Sequence, residues 1–159
     1  MKKYRSEFKS INKTISKFNE HLSPNNQIRL FDVSTDIENK SIVEIVHGDW
    51  NAFPFPNNGT RGVYFVVGYE RNNPEKNGMY IGKASFSSST SARLYSHLHA
   101  TRSSEKFSMN GYNNEVYVVE YIASIDLDKQ NIPFLSPALE EFLISNLCNK
   151  LNLFNGTGN

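Results

Sequence analysis

Apolar side chains Tyr4, Phe8, Ile11, Ile15, Phe18 and Leu22 recur at spacings of three and four. This pattern predicts an amphipathic helix over residues 4–21, with its lysines mostly opposite the apolar stripe and Ser23-Pro24-Asn25-Asn26 as its stop. Residues 28–33 and 42–47 each read as a short strand. Phe53-Pro54-Phe55-Pro56-Asn57-Asn58-Gly59 reads as a loop, because proline cannot donate to a sheet.

Beyond Arg61 the pattern changes. Residues 62–69 are rich in β-branched and aromatic side chains and predict a strand, residues 78–84 a second and residues 115–123 a third. Asn72-Asn73-Pro74 and Asn77-Gly78 make the segment from Glu70 to Gly78 a hairpin loop. The hydroxyl-rich run Ser85 to Ser91 offers several N-caps, so a helix is expected to begin near Ser91 and continue past His97. Ser103 to Asn114 reads as a loop. Ser136-Pro137 marks a helix start, serine as cap and proline in the first helical position, with the helix running to about Leu151. The proline-rich loop is the expected boundary between an N-terminal accessory segment, 1–60, and a module spanning 61–159.

Composition narrows the setting. A chain of 159 residues with 1 Trp, 11 Phe and 8 Tyr can bury the core of one ordinary domain. Its single cysteine, Cys148, excludes a disulfide framework and a cysteine-based zinc site, which suits a reducing compartment. No apolar run approaches the roughly 20 residues that span a bilayer, and no signal-peptide pattern follows the first lysines. The expected location is the cytoplasm, with no membrane partner. The formal net charge of +1 is weak for a nucleic-acid binder, but it is unevenly spread. Lys2, Lys3, Arg5, Lys9, Lys13 and Lys17 against Glu7 leave residues 1–18 at +5, and residues 83–106 stand at +3. Such segregation could build a positive face for a phosphate backbone, although a solvated helix face looks the same.

Several side chains carry candidate chemistry. On the last helix, counting from Leu139 at about 100° per residue, the apolar positions spread over an arc from roughly −60° to roughly 140°. Glu140 falls inside that arc and Glu141 outside it. A carboxylate on the buried side needs a metal ion, an arginine or a lysine as partner, and a salt bridge to Arg93 is the plain alternative to metal binding. Arg93 and His97 are four residues apart, so on one helix both could reach a phosphate, the arginine with its planar fork and the histidine as ligand or proton shuttle. His99 is better read as solvated. Tyr64 and Tyr80 alone would be core residues. Their attachment to Gly62 and Gly82, where a backbone or ligand can approach closely, raises their interest. A tyrosine serves as base near neutral pH only if Arg93, Lys83 or a metal lowers its pKa.

In order, Gly62-Val63-Tyr64, Tyr80-Ile81-Gly82-Lys83, Arg93 with His97, Glu140 and Phe154-Asn155 resemble the GIY-YIG nuclease family over roughly residues 61–157. The chain departs from the family pattern in a longer connection between the two triplets and in the serine-rich stretch before Arg93. Both lie in connections, where insertions are tolerated. The resemblance implies an α+β fold with a small, mainly antiparallel three-stranded central sheet flanked by helices. It also implies a divalent-metal-dependent endonuclease that hydrolyses DNA phosphodiester bonds by a one-metal mechanism, of restriction or homing type. Glu140 would hold Mg²⁺, for which Mn²⁺ could substitute; Tyr64 or Tyr80 would be the base; Lys83, Arg93, His97 and Asn155 would complete the site. Double-stranded DNA is the implied partner. Cutting both strands from one active site would need a homodimer or two encounters. The rival expectation is a non-catalytic module that binds nucleic acid or protein on the same fold.

Overall fold

The computed structural model describes residues 2–45, 55–100, 107–109 and 117–155, and only the backbone of 95–100, 107–109 and 117. After a 3-10 turn at Lys2–Tyr4 the elements are α1 (Arg5–Asn19), α2 (Val33–Glu38), β1 (Ile42–Glu44), β2 (Gly62–Glu70), β3 (Asn73–Ala84), α3 (Thr90–His97), β4 (Leu98–Ala100), β5 (Phe107–Met109), β6 (Tyr117–Asp126) and α4 (Ser136–Leu147). The architecture is α+β. Its sheet has four antiparallel strands in the order β1-β6-β2-β3, one more than the three expected, because β1 pairs with β6 through Ile42↔Ala123 to Glu44↔Tyr121. The β4 and β5 strands form a separate two-stranded ribbon: β4 stands where the helix was expected to continue past His97, and β5 lies inside the expected loop Ser103 to Asn114, the rest of which lies outside the described residues.

Strand β2 is the spine, buried along nearly its whole length because both faces are covered. Alternation sends Val63, Phe65 and Val67 to one face and Tyr64 and Val66 to the other. The first face meets Tyr4, Phe8, Ile11, Ile15 and Phe18 of the N-terminal helix and Leu139, Leu143 and Leu147 of α4. The register between β2 and β6 shifts past Val67 and Gly68, leaving Glu120 as a bulged residue. Gly68 permits the shift, since a Cβ there would stand 1.8 Å from the Val118 carbonyl oxygen. The Tyr4 hydroxyl donates to the Glu120 carboxylate beside the bulge, and the Tyr4 ring meets Tyr121 edge-on at 5.7 Å.

Residues 28–33 do not form the expected strand. The Asn12 carboxamide clasps Phe31, donating to its carbonyl at 2.7 Å and accepting from its N–H at 2.8 Å, and Asn19 holds Ile28 in the same way. With those backbone groups taken by side chains, no ladder is required, and Asp32 then caps α2 by accepting from Ser34 N. The hairpin loop is also shorter than predicted. Glu70 pairs with Asn73, so Arg71-Asn72 makes the turn and the asparagine-rich residues after it extend β3. The start of the N-terminal helix steadies this extension, Lys3 Nζ donating to Pro74 O at 2.9 Å and Asn77 Nδ2 to Glu7 Oε1 at 2.9 Å.

Two smaller corrections concern α4. Ser136 is already helical and donates its hydroxyl to Pro133 O at 2.7 Å, so it is not the N-cap; Leu135 precedes the first helical residue. The helix ends at Leu147, and residues 152–155 run parallel to β3 along its free edge. There Met79 N–H donates to Asn152 O at 2.9 Å and Phe154 N–H to Met79 O at 2.6 Å. The accessory segment and the module share one core, since α1, the 28–31 stretch and β1 all pack with β2, β6 and α4. Among the described residues no helix is long and apolar enough to cross a membrane.

Candidate functional site

The two tyrosines occupy the sheet face away from α1, in a cluster with Val66, Leu94, Val119, Ile122 and Phe154. Tyr64 sits directly across from Gly82 and Val66 across from Tyr80, so the tyrosines are diagonal neighbours with ring centroids 6.1 Å apart. Gly82 makes this arrangement feasible. A Cβ there would lie 2.4 Å from both Cζ and the hydroxyl oxygen of Tyr64, so the glycine lets the ring lie across β3. Gly62 is needed for a different reason: its φ of +157° and a Cβ position 1.8 Å from Ile125 O leave no room for a side chain where β2 begins.

Burial separates the two rings. Tyr64 is sealed from solvent, and the edge of Tyr80 reaches it at 8% exposure. Burial is the main force pushing the Tyr64 hydroxyl well above its ordinary pKa; the neighbouring Tyr80 adds to this, Arg93 opposes it, and Glu140 adds a smaller upward push. The Tyr64 hydroxyl makes no hydrogen bond of good geometry with the described residues, although Tyr80 is near enough to act on it. Tyr64 therefore keeps its proton throughout the neutral range.

Lys83 follows Gly82 and by alternation points to the opposite face, where its ammonium donates to Glu140 Oε2 at 2.7 Å. Glu140 is the partly buried carboxylate of the first turns of α4 and Glu141 is exposed, as the apolar arc requires. Its protein partner is Lys83, not the Arg93 of the alternative reading. Lys83 engages only one of the two carboxylate oxygens, and Glu140 Oε1 accepts no hydrogen bond from the described residues. Asn155 reaches the same strand from the C-terminal tail. Its Oδ1 accepts from Ile81 N at 2.8 Å and its Nδ2 donates to Ile81 O at 2.7 Å, so one carboxamide satisfies both backbone groups of the residue between Tyr80 and Gly82.

Helix α3 brings Arg93 in from the tyrosine side. Leu94 is buried against the tyrosine cluster while Arg93 stays exposed, and its charge is close enough to act on Tyr64. The start of this helix is tied down by Thr90 N–H donating to Thr60 O at 3.2 Å and by Ser89 Oγ accepting from Ala92 N at 3.2 Å. One serine of the hydroxyl-rich run thus acts as a cap, as its composition suggested. The backbone of His97 closes α3; its side chain, like that of His99, lies outside the described residues.

The structure thus brings Tyr64, Tyr80, Lys83, Glu140 and Asn155 around the last residues of β3, with Arg93 within electrostatic reach. Sequence reasoning passed over Arg61 and Asp128, which brace the same end of the sheet. Arg61 donates from its backbone and Nε to Asp128 at 2.8 Å each, holding the Asp128 carboxyl below its usual range. Only their positions flanking two strand ends hinted at this. Among the described residues no group of three or more His, Cys, Asp or Glu side chains gathers as a metal site. A separate cavity of about 600 Å³, lined by Arg29, Phe31, Asp36, Asn57 and Gln130, contains none of these site residues. No family model, no curated protein and no solved structure matches this chain.

Proposed function

We propose that this chain is a GIY-YIG-type, divalent-metal-dependent endonuclease acting on DNA phosphodiester bonds. The observation that supports the proposal is that five separated sequence elements meet the last residues of β3, Tyr64, Tyr80 and Arg93 from one face of the sheet, Lys83 with Glu140 from the other, and Asn155 at the free edge. The donor set suits one hard cation whose other ligands are substrate phosphate and water, because Mg²⁺ commonly takes only one or two protein carboxylates. Glu140 would hold it through the oxygen that Lys83 does not engage. A bound Mg²⁺ or Mn²⁺ would supply the charge that polarises a phosphate oxygen and stabilises a leaving 3′ oxygen.

The remaining roles follow from burial and charge. Tyr80, at the solvent edge, is the base that takes a proton from the attacking water, whereas Tyr64, sealed and protonated, packs beside it. Arg93 neutralises charge developing on the phosphate. Lys83 fixes the Glu140 carboxylate, and Asn155 holds the backbone that carries Tyr80. His97 would bind phosphate, as the family resemblance implies.

The rival reading, a non-catalytic binding module, draws on the Lys83 to Glu140 ion pair, since a neutralised carboxylate is also what a purely structural site contains. Supercoiled plasmid decides between them. The folded wild-type chain should nick or linearise it with Mg²⁺ or Mn²⁺, and cleavage should fall to background in EDTA and in Glu140→Ala. Cleavage that survives either control, or none by wild type on plasmid, branched or single-stranded DNA, would overturn the proposal.

A further inference from the structure

Among the large hydrophobic side chains described, Phe86 and Phe134 are the most exposed, at 79% and 64%. Scattered exposed hydrophobics are ordinary, but these two are placed by the fold. Gly62 pairs with both Ala84 and Asp126, so the chain leaving β3 and the chain leaving β6 emerge at the same end of the sheet. Phe86 lies two residues beyond Ala84, on the connection from Lys83 to the helix bearing Arg93. Phe134 sits in the 3-10 turn Pro133–Leu135 that leads into α4 and Glu140. Arg61 joins the two connections, clamped on Asp128 at 2.6 Å and donating to Phe86 O at 3.4 Å.

The backbone at Phe86 sharpens the point. Its φ of +55° is a left-handed conformation that is strained for a non-glycine residue. Glycine or asparagine is the usual occupant of such a position. A phenylalanine that buries little of itself in a strained position contributes nothing evident to folding, so a gain outside the folded chain is the natural account.

We propose that Phe86 and Phe134 are stacking platforms for unpaired nucleobases flanking a phosphate bound at the end of β3. A flat aromatic ring stacks on any base face and is sequence-tolerant, while the exposed Arg93 lies on the helix that follows Phe86, and the half-exposed Arg61 and Lys83 at the same end would have to share their charge with Asp128 and Glu140. The site would therefore prefer a strand whose bases are unstacked, as in single-stranded, flapped or flipped DNA. This rests on the nuclease reading for the identity of the ligand, though not on catalysis.

The test measures equilibrium binding of the full chain, in EDTA so that nothing is cut, to a single-stranded oligonucleotide and to an abasic strand of equal length. The base-bearing strand should bind at least about ten-fold more tightly. Phe86→Ala and Phe134→Ala should each remove about ten-fold of that affinity, in line with the usual contribution of one stacked base, and leave binding of the abasic strand unchanged. Phe86→Trp should restore it, and a 2-aminopurine placed in the strand should lose its quenching in Phe86→Ala. Because both side chains are solvent-facing, thermal melting should not move with either substitution. Equal binding of the two strands, absence of binding, or full affinity in both alanine variants would overturn the inference. Plasmid cleavage with no dependence on Phe86 or Phe134 would defeat the stacking role and leave the nuclease standing. Base-dependent binding without cleavage of any substrate would defeat the nuclease and leave the stacking role standing.

Discussion

The two faces of the sheet are built from different materials. The face covered by α1 and α4 carries Val63, Phe65, Val67, Ile81, Ala123 and Ile125, with polar contacts where Tyr4 meets Glu120 and where Lys83 meets Glu140. The other face is smaller and places two tyrosines, one with a buried hydroxyl that finds no well-formed bond among the described residues, beneath a helix bearing an exposed arginine. A buried hydroxyl in that condition costs stability, whereas an aliphatic side chain of similar volume would not. The contrast teaches that the first face, away from its Lys83 to Glu140 ion pair, answers to folding, and that the second keeps a buried polar group that folding does not require.

Substitutions can break this contrast. The largest effect is expected from Phe65→Ala, which removes a fully buried ring packed 5.5 Å from Phe31. It should lower stability by about 3–5 kcal/mol in denaturant titration. A loss below about 1 kcal/mol would mean that the α1 face is not the stabilising one. Arg93→Ala comes next and should act in the opposite sense, cutting the cleavage rate about 10²–10³-fold while moving stability by no more than about 0.5 kcal/mol. A large drop in melting temperature with unchanged cleavage would assign Arg93 to the scaffold.

The smallest effect sharpens the comparison through pH. Tyr64 is neutral in the fold and its pKa is raised mainly by burial, with Tyr4 and Tyr121 raised for the same leading reason. A raised folded value means that the stabilisation is fully present below the unfolded tyrosine value of about 10 and is lost as pH climbs above it. Stability should accordingly fall above pH about 10 from these groups. Tyr64→Phe should change it by no more than about 1 kcal/mol near neutrality and make the alkaline decline shallower. An unaltered alkaline slope would show that Tyr64 is not sealed.

Much of this arrangement is legible in the chain because it follows from local periodicity. The three-and-four spacing from Tyr4 to Phe18 gives α1, the arc on α4 separates Glu140 from Glu141, and Gly82, two residues after Tyr80, marks where the Tyr64 ring crosses β3. Other parts depend on long-range side-chain bonds that no periodicity records. Residues 28–31 look like a strand, yet their backbone partners are the carboxamides of Asn12 and Asn19. The asparagine-rich stretch after the hairpin turn looks like a loop and is held extended by Lys3 and Glu7. The partner of Glu140 was open between metal, arginine and lysine, because helix geometry fixes which way a carboxylate points and not what waits there. Phe86 gave no sequence signal, since exposure and a left-handed backbone become visible only once β3 has an end.

The tail that runs beside β3 has a consequence for how copies of this chain coexist. An outer strand with free N–H and C=O groups invites another chain to pair with it, and long apolar edges are where sheets join into larger assemblies. Here Asn152 and Phe154 engage Met79, the ring of Phe154 fills the space that any side chain at Gly78 would need, and Asn155 imitates a peptide group at Ile81. The segment that steadies Tyr80 also keeps the strand beneath it from recruiting neighbours, so solubility and the alignment of the site depend on the same few hydrogen bonds.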